Sequence, residues 1–149
     1  MSIDYNIPDF LKLRPDFEAI AVDEKLLEEF IKLVGCSGDL GDRVNVQYDT
    51  TFCLCDYYVS IMSFVHPFIE TARSTSPAVS LFYFFHSRKF LETYEAFWSF
   101  FAQKVNKQIK SIFIITDCED SIRTAIKNCL KEYKIPLIRC IDVTTLDLR

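Results

Sequence analysis

Val44-Asn45-Val46-Gln47-Tyr48-Asp49-Thr50-Thr51-Phe52 sets one acid inside a run of strand-forming residues. Val44, Val46, Tyr48, Thr50, Thr51 and Phe52 favour extended backbone, and a carboxylate buried among them is costly unless a partner or a metal compensates it. A second acid, Asp117, ends a similar run, Ser111-Ile112-Phe113-Ile114-Ile115-Thr116-Asp117. Whether folding brings Asp49 and Asp117 together decides what the chain can do.

At 149 residues, half of them hydrophobic and 15% aromatic, with fourteen Phe and only three Gly, the sequence describes one folded domain with an ample core. A net charge of −4 argues against a general basic face for DNA, because phosphate neutralisation needs clustered Lys and Arg. Any nucleic-acid contact has to be local. The start Met1-Ser2-Ile3-Asp4-Tyr5 has neither the basic residues nor the apolar core of a secretory signal, so the six cysteines read as reduced thiols of an intracellular protein. Cys53-x-Cys55, with His66 and His86 as the only histidines, makes a poor zinc set; on a strand the two thiols share one face as small buried side chains. The longest apolar run, Val79-Ser80-Leu81-Phe82-Tyr83-Phe84-Phe85, falls far short of a membrane span, and the expectation is a soluble protein.

Residues 1–42 read as an N-terminal helical extension and linker. Pro8 and Pro15 interrupt its opening, and Asp23 to Val34 shows apolar residues at helical spacing, with Asp23 as N-cap and Gly35 as stop. Gly35 to Asp42 holds all three glycines, yet no Gly-Lys-Ser/Thr follows and a strand comes next, so it reads as a linker rather than a phosphate cradle.

The main domain is expected over 43–141. Three strands, Val44 to Leu54, Tyr57 to Val65 and Ala78 to His86, are joined by a tight hairpin near Cys55-Asp56 and a longer polar connection from Pro67 to Pro77. Phe90, Leu91, Tyr94, Phe97, Trp98, Phe101 and Val105 recur at three and four, which predicts an amphipathic helix whose aromatic stripe is core packing rather than a cofactor platform. A strand over Ile112 to Thr116, a helix from Glu119 to about Tyr133 and an edge strand from Pro136 to Ile141 complete it. Residues 142–149 form a tail. The fold class is α/β: a mixed five-stranded sheet in the order βββαβαβ, with helices on both faces.

Tyr48-Asp49-Thr50-Thr51-Phe52, Tyr57-Tyr58-Val59-Ser60, Pro77-Ala78-Val79, Phe85-His86-Ser87-Arg88-Lys89-Phe90 and Ile115-Thr116-Asp117-Cys118-Glu119-Asp120-Ser121-Ile122 follow one another with no large gap. In that order they resemble the catalytic domain of Mutator-like element (MULE) transposases, from about Val44 to Cys140. The resemblance implies a ribonuclease H-like fold, with first and fourth strands adjacent, and an Asp-Asp-Glu site for cut-and-paste DNA transposition. By it, Asp49 and Asp117 match the first two acids, catalytic and metal-binding, for Mg2+ or Mn2+. Magnesium suits such a pair because it takes hard oxygen ligands and is commonly held by one or two carboxylates plus substrate phosphates.

The family's third acid, a Glu on a later helix, has no match, and the Cys-x-x-His that normally follows the last strand is absent after Cys140. Asp142 and Asp147 are the available substitutes, at a strand end or in the tail. The expectation is therefore a partial or relic transposase domain, truncated before its third ligand and inactive alone. DNA is its ancestral partner and the nucleus its ancestral location; no membrane or small-molecule cofactor is expected, and no oligomeric state is assigned. The alternative is a non-catalytic, domesticated ribonuclease H-like binding module. Hydrogen bonds from Thr hydroxyls and backbone could also satisfy Asp49 and Asp117 with no metal. A haloacid-dehalogenase-type phosphatase is set aside, because Thr51 stands where its second Asp belongs.

Overall fold

The computed structural model describes residues 10–13, 16–35, 45–54, 56–66, 72, 77–105, 108–109, 112–117 and 119–142, with backbone alone for 52–54 and 138–142. The expected linker after Gly35, most of the Pro67–Pro77 connection, the tail beyond Asp142 and the side chains of Cys36, Cys53, Cys55, Cys118 and Cys140 lie outside the described residues. Cys129 is a buried free thiol.

Among the described residues seven strands and three helices follow in the order β1 (Phe10–Lys12), β2 (Glu18–Val22), α1 (Glu24–Gly35), β3 (Asn45–Leu54), β4 (Tyr57–Val65), β5 (Ala78–His86), α2 (Leu91–Val105), β6 (Ile112–Thr116), α3 (Asp120–Glu132) and β7 (Leu137–Asp142). They build one α/β sheet in the order β1-β2-β5-β4-β3-β6-β7. Pairing is antiparallel from β1 through β3, and parallel between β3 and β6 and between β6 and β7. Leu54 pairs with Tyr57, so the expected tight hairpin joins β3 and β4, and β7 with its preceding Pro136 lies at the expected edge.

Two features differ from the sequence expectation. The sheet has seven strands instead of five, because the segment read as an appendage supplies β1 and β2, and β2 pairs with β5 along Glu18–Val22. Short strands broken by Pro8 and Pro15 carry little periodic signal; partnering with β5 is what makes Glu18–Val22 extended. The segment also enters the core, since Phe30 of α1 is fully buried against Phe64 and Phe101.

The second difference concerns the helices, which among the described residues pack on one face and not on both. Val46, Tyr48, Met62, Phe64, Phe82 and Phe84 turn toward them and are all but inaccessible. Tyr48 meets Phe97 and Trp98 with ring centroids 5.1 Å apart, and Phe82 meets Phe97 edge-on at 5.8 Å. The crossovers β5–α2–β6 and β6–α3–β7 both travel the same way across the sheet, and right-handed connections then place both helices on the same side. The opposite face keeps Tyr83 39% and Phe85 36% exposed. No helix among the described residues is long and apolar enough to cross a membrane.

Helix α1 starts where the sequence says it should: Asp23 Oδ1 accepts hydrogen bonds from the backbone N–H of Lys25 (3.0 Å) and Leu26 (3.1 Å).

Candidate functional site

The register of β3 on β6 runs Asn45↔Phe113, Val46↔Ile114, Gln47↔Ile115 and Tyr48↔Thr116. The next residue along the chain from each of the last pair is Asp49 and Asp117, so two parallel neighbours, fifth and sixth in the sheet order, release their acids side by side. The expectation that folding unites them is met.

Their surroundings correct the cost assigned to Asp49. Side chains alternate along β3, and Val46 and Tyr48 take the buried side, which leaves Asp49 exposed on the open face. It is no carboxylate in an apolar interior. Asp117 is half-buried, and Thr116 Oγ1 lies 3.3 Å from its Oδ1 as donor. Burial first, and then the neighbouring charge of Asp49, holds the Asp117 carboxyl above the usual carboxylate range.

Glu119 stands at the N-cap of α3 without making a side-chain cap. Its Oε1 accepts from the Tyr94 hydroxyl at 3.3 Å and from Ser121 Oγ at 3.1 Å, and Lys89 Nζ is 3.8 Å from Oε2. Those bonds turn it toward α2 and the end of β5. Asp142 pairs with Thr116 in the β6–β7 register, and its side chain, like the whole of Asp147, lies outside the described residues.

Sequence reasoning missed a polar chain beneath the acids. Thr50 Oγ1 and Ser60 Oγ are 2.8 Å apart, Ser60 Oγ and His86 Nε2 are 2.8 Å apart, and His86 Nδ1 is 2.7 Å from the Arg88 carbonyl oxygen. Ser60 and His86 are completely buried. Ser60 falls at an inward position of an apolar strand, and His86 closes another; that misfit to a period-two pattern was the available signal. The Tyr48 hydroxyl is buried near Ser60 but closes no hydrogen bond among the described residues, and burial drives its pKa well up.

Chemically, two carboxylates at adjacent strand ends can ligate one hard divalent cation, whose remaining positions would go to water or phosphate oxygens. The like-charge strain on Asp117 fits such an ion, since a cation between the acids would relieve it. Among the described residues no group of three or more His, Cys, Asp or Glu side chains is set to hold a metal.

No protein-family model matches this sequence, and no curated protein matches it either.

Proposed function

We propose that the chain is a ribonuclease H-like domain of Mutator-like element transposase type, ancestrally a metal-dependent DNA strand-cleaving and strand-transferring unit, in which Asp49 and Asp117 are the metal ligands. One observation carries the reading: the two acids of the Asp-Thr-Thr-Phe and Thr-Asp-x-Glu blocks emerge together from adjacent parallel strands. The order β5-β4-β3-β6-β7, three antiparallel strands followed by two parallel ones, supports it as the arrangement the resemblance implies. With two protein ligands rather than three, this chain binds Mg2+ or Mn2+ weakly and transfers no DNA strand by itself.

Mn2+ binding followed by electron paramagnetic resonance tests the reading. The expected outcome is weak binding that Asp49→Asn and Asp117→Asn each abolish, together with no cleavage of duplex DNA. Binding that survives both substitutions defeats the metal assignment, and robust cleavage lost in Asp49→Asn defeats the proposed inactivity.

A second reading, a binding module without catalysis, draws on the open sheet face with Tyr83 and Phe85 exposed. It expects a partner complex that survives chelation by EDTA and is unchanged in Asp49→Asn.

A further inference from the structure

We infer that the open face of the sheet is a stacking platform for unpaired DNA, on which Tyr83 and Phe85 each take one base of a strand whose phosphate is held at the acid pair. The inference rests on the metal reading above and names the ligand of that site.

The register puts the platform beside Asp49. Asp49 pairs with Ile61 and Ile61 with Tyr83, so one row crosses β3, β4 and β5; Thr51, Val59 and Phe85 make the next row. These positions alternate with Tyr48, Met62 and Phe84, which turn to the helices, so both rings share the face on which Asp49 is exposed. Strands lie about 4.8 Å apart, which sets the Tyr83 backbone about 10 Å from that of Asp49 and Phe85 about 7 Å from Tyr83 along β5.

Both rings are open to a flat ligand. Phe82 and Phe84 on the same strand are enclosed by other rings, whereas Tyr83 and Phe85 keep more than a third of their surface and have no aromatic partner among the described residues. On β2 they are paired with Ala21 and Ala19, whose methyl groups leave that flank of each ring uncrowded. Aromatic side chains on an exposed sheet stack successive bases of a single strand, because a base that has left the duplex offers its π-face.

Charge selects the ligand and sets a condition on it. Among the described side chains of this face Asp49 alone is charged, so the bare face repels a phosphodiester. A divalent cation on Asp49 and Asp117 reverses the sign at that one point and takes phosphate oxygens in its remaining positions. The strand is then held by the metal and by its bases, with no basic groove. A duplex keeps its bases stacked on one another and gains nothing from the rings. A second copy of this chain brings the same single acid and no counter-charge.

The test uses the full chain and a fluorescein-labelled oligothymidylate read by anisotropy, with Mn2+ binding followed in parallel by electron paramagnetic resonance. The oligonucleotide should bind in Mn2+, dissociate when EDTA is added, and bind more weakly once annealed into a duplex. Tyr83→Ala and Phe85→Leu should each weaken strand binding about 5- to 150-fold, the range for losing one base–aromatic stack. Mn2+ binding should be unchanged in both, which also shows that the variants fold, and Tyr83→Phe, which keeps the ring, should match the wild type. Wild-type affinity in both Tyr83→Ala and Phe85→Leu, strand binding that survives EDTA, or equal binding of the duplex overturns the platform and leaves the metal reading intact. So does a DNA-free dimer in sedimentation velocity that Tyr83→Ala dissolves, since the face then belongs to a second copy. Absence of Mn2+ binding in the wild type instead defeats the metal reading, and the platform falls with it.

Discussion

Tyr48 and Thr116 face each other in register on parallel strands, both buried under the helices, and their successors are Asp49, exposed on the open face, and Asp117, half-buried just past the end of β6. On each of these two strands a tightly packed residue is therefore followed at once by an acid. The register of the packed pair fixes the spacing of the two acids.

That spacing makes Asp117 a pH-dependent liability. Its folded pKa is raised, so the folded state holds its proton more tightly than the unfolded state. The corresponding stability is fully present below the unfolded value of about 3.9. It is lost as pH rises through the folded value. Urea midpoints measured across the acid range should fall with rising pH more steeply in the wild type than in Asp117→Asn, and Mg2+ should recover part of the difference. Parallel profiles would remove Asp49–Asp117 repulsion as a factor.

His86 works with the opposite sign. Its folded pKa is lowered, so above the unfolded value of about 6.5 both states are neutral and nothing is lost. As pH falls below that value the unfolded chain gains the proton first, and stability declines until the folded value is reached. Thermal midpoints between neutral and mildly acid pH should drop in the wild type and change less in His86→Gln.

Phe97 is the hub of the helix-covered face, completely buried and in ring contact with Tyr48, Phe82, Phe84 and Trp98 at 5.1 to 5.8 Å. Phe97→Ala should cost about 3–5 kcal/mol by denaturant titration, the usual range for emptying a packed aromatic site. A loss below ~1 kcal/mol would mean that α2 is not held to the sheet as described.

Asp23 caps α1 through two backbone N–H groups, and α1 is the helix of the segment that sequence reading detached from the domain. Asp23→Ala should cost about 1 kcal/mol. Because Phe30 of α1 is in the common core, the loss should appear in one cooperative transition and not in a separate early one.

Glu18 is buried, with Oε2 lacking a hydrogen-bond partner among the described residues and Lys12 Nζ 3.7 Å from Oε1. Burial outweighs the lysine and raises its pKa. Glu18→Gln should therefore raise stability at neutral pH while leaving it unchanged in acid, where the glutamate is already protonated; a loss at neutral pH would show that the Lys12 pair is the stronger effect.

What was legible in the sequence was whatever expressed itself as a period or a cap. Strands β4, β5 and β6 lie within the bounds their β-branched and aromatic runs suggest, α1 begins at the Asp23 cap, and the aromatic stripe of α2 is core. The juxtaposition of Asp49 and Asp117 was reached through the order of elements together with a resemblance. The error on Asp49 was one of phase: an alternating strand has two faces, and Val46 and Tyr48 already occupy the inner one. Strands β1 and β2 were not legible because three to five residues beside prolines acquire their conformation from β5, which lies some sixty residues away. The Thr50–Ser60–His86 chain was hidden for the same reason, since it draws one residue from each of three strands.

The two halves of the sheet also differ in how far apart in sequence their partners lie. Strands β3, β4 and β5 meet immediate neighbours in the chain, whereas β3 reaches β6 only after two strands and a helix have intervened. Short loops close early and long ones late. The antiparallel meander is thus the expected nucleus, carrying Asp49 and the polar chain from the outset, and Asp117 arrives when β6 docks against a surface already made. A chain interrupted during synthesis before residue 112 would own a sheet and a histidine chain with a single acid, so the paired charge exists only once β6 has docked.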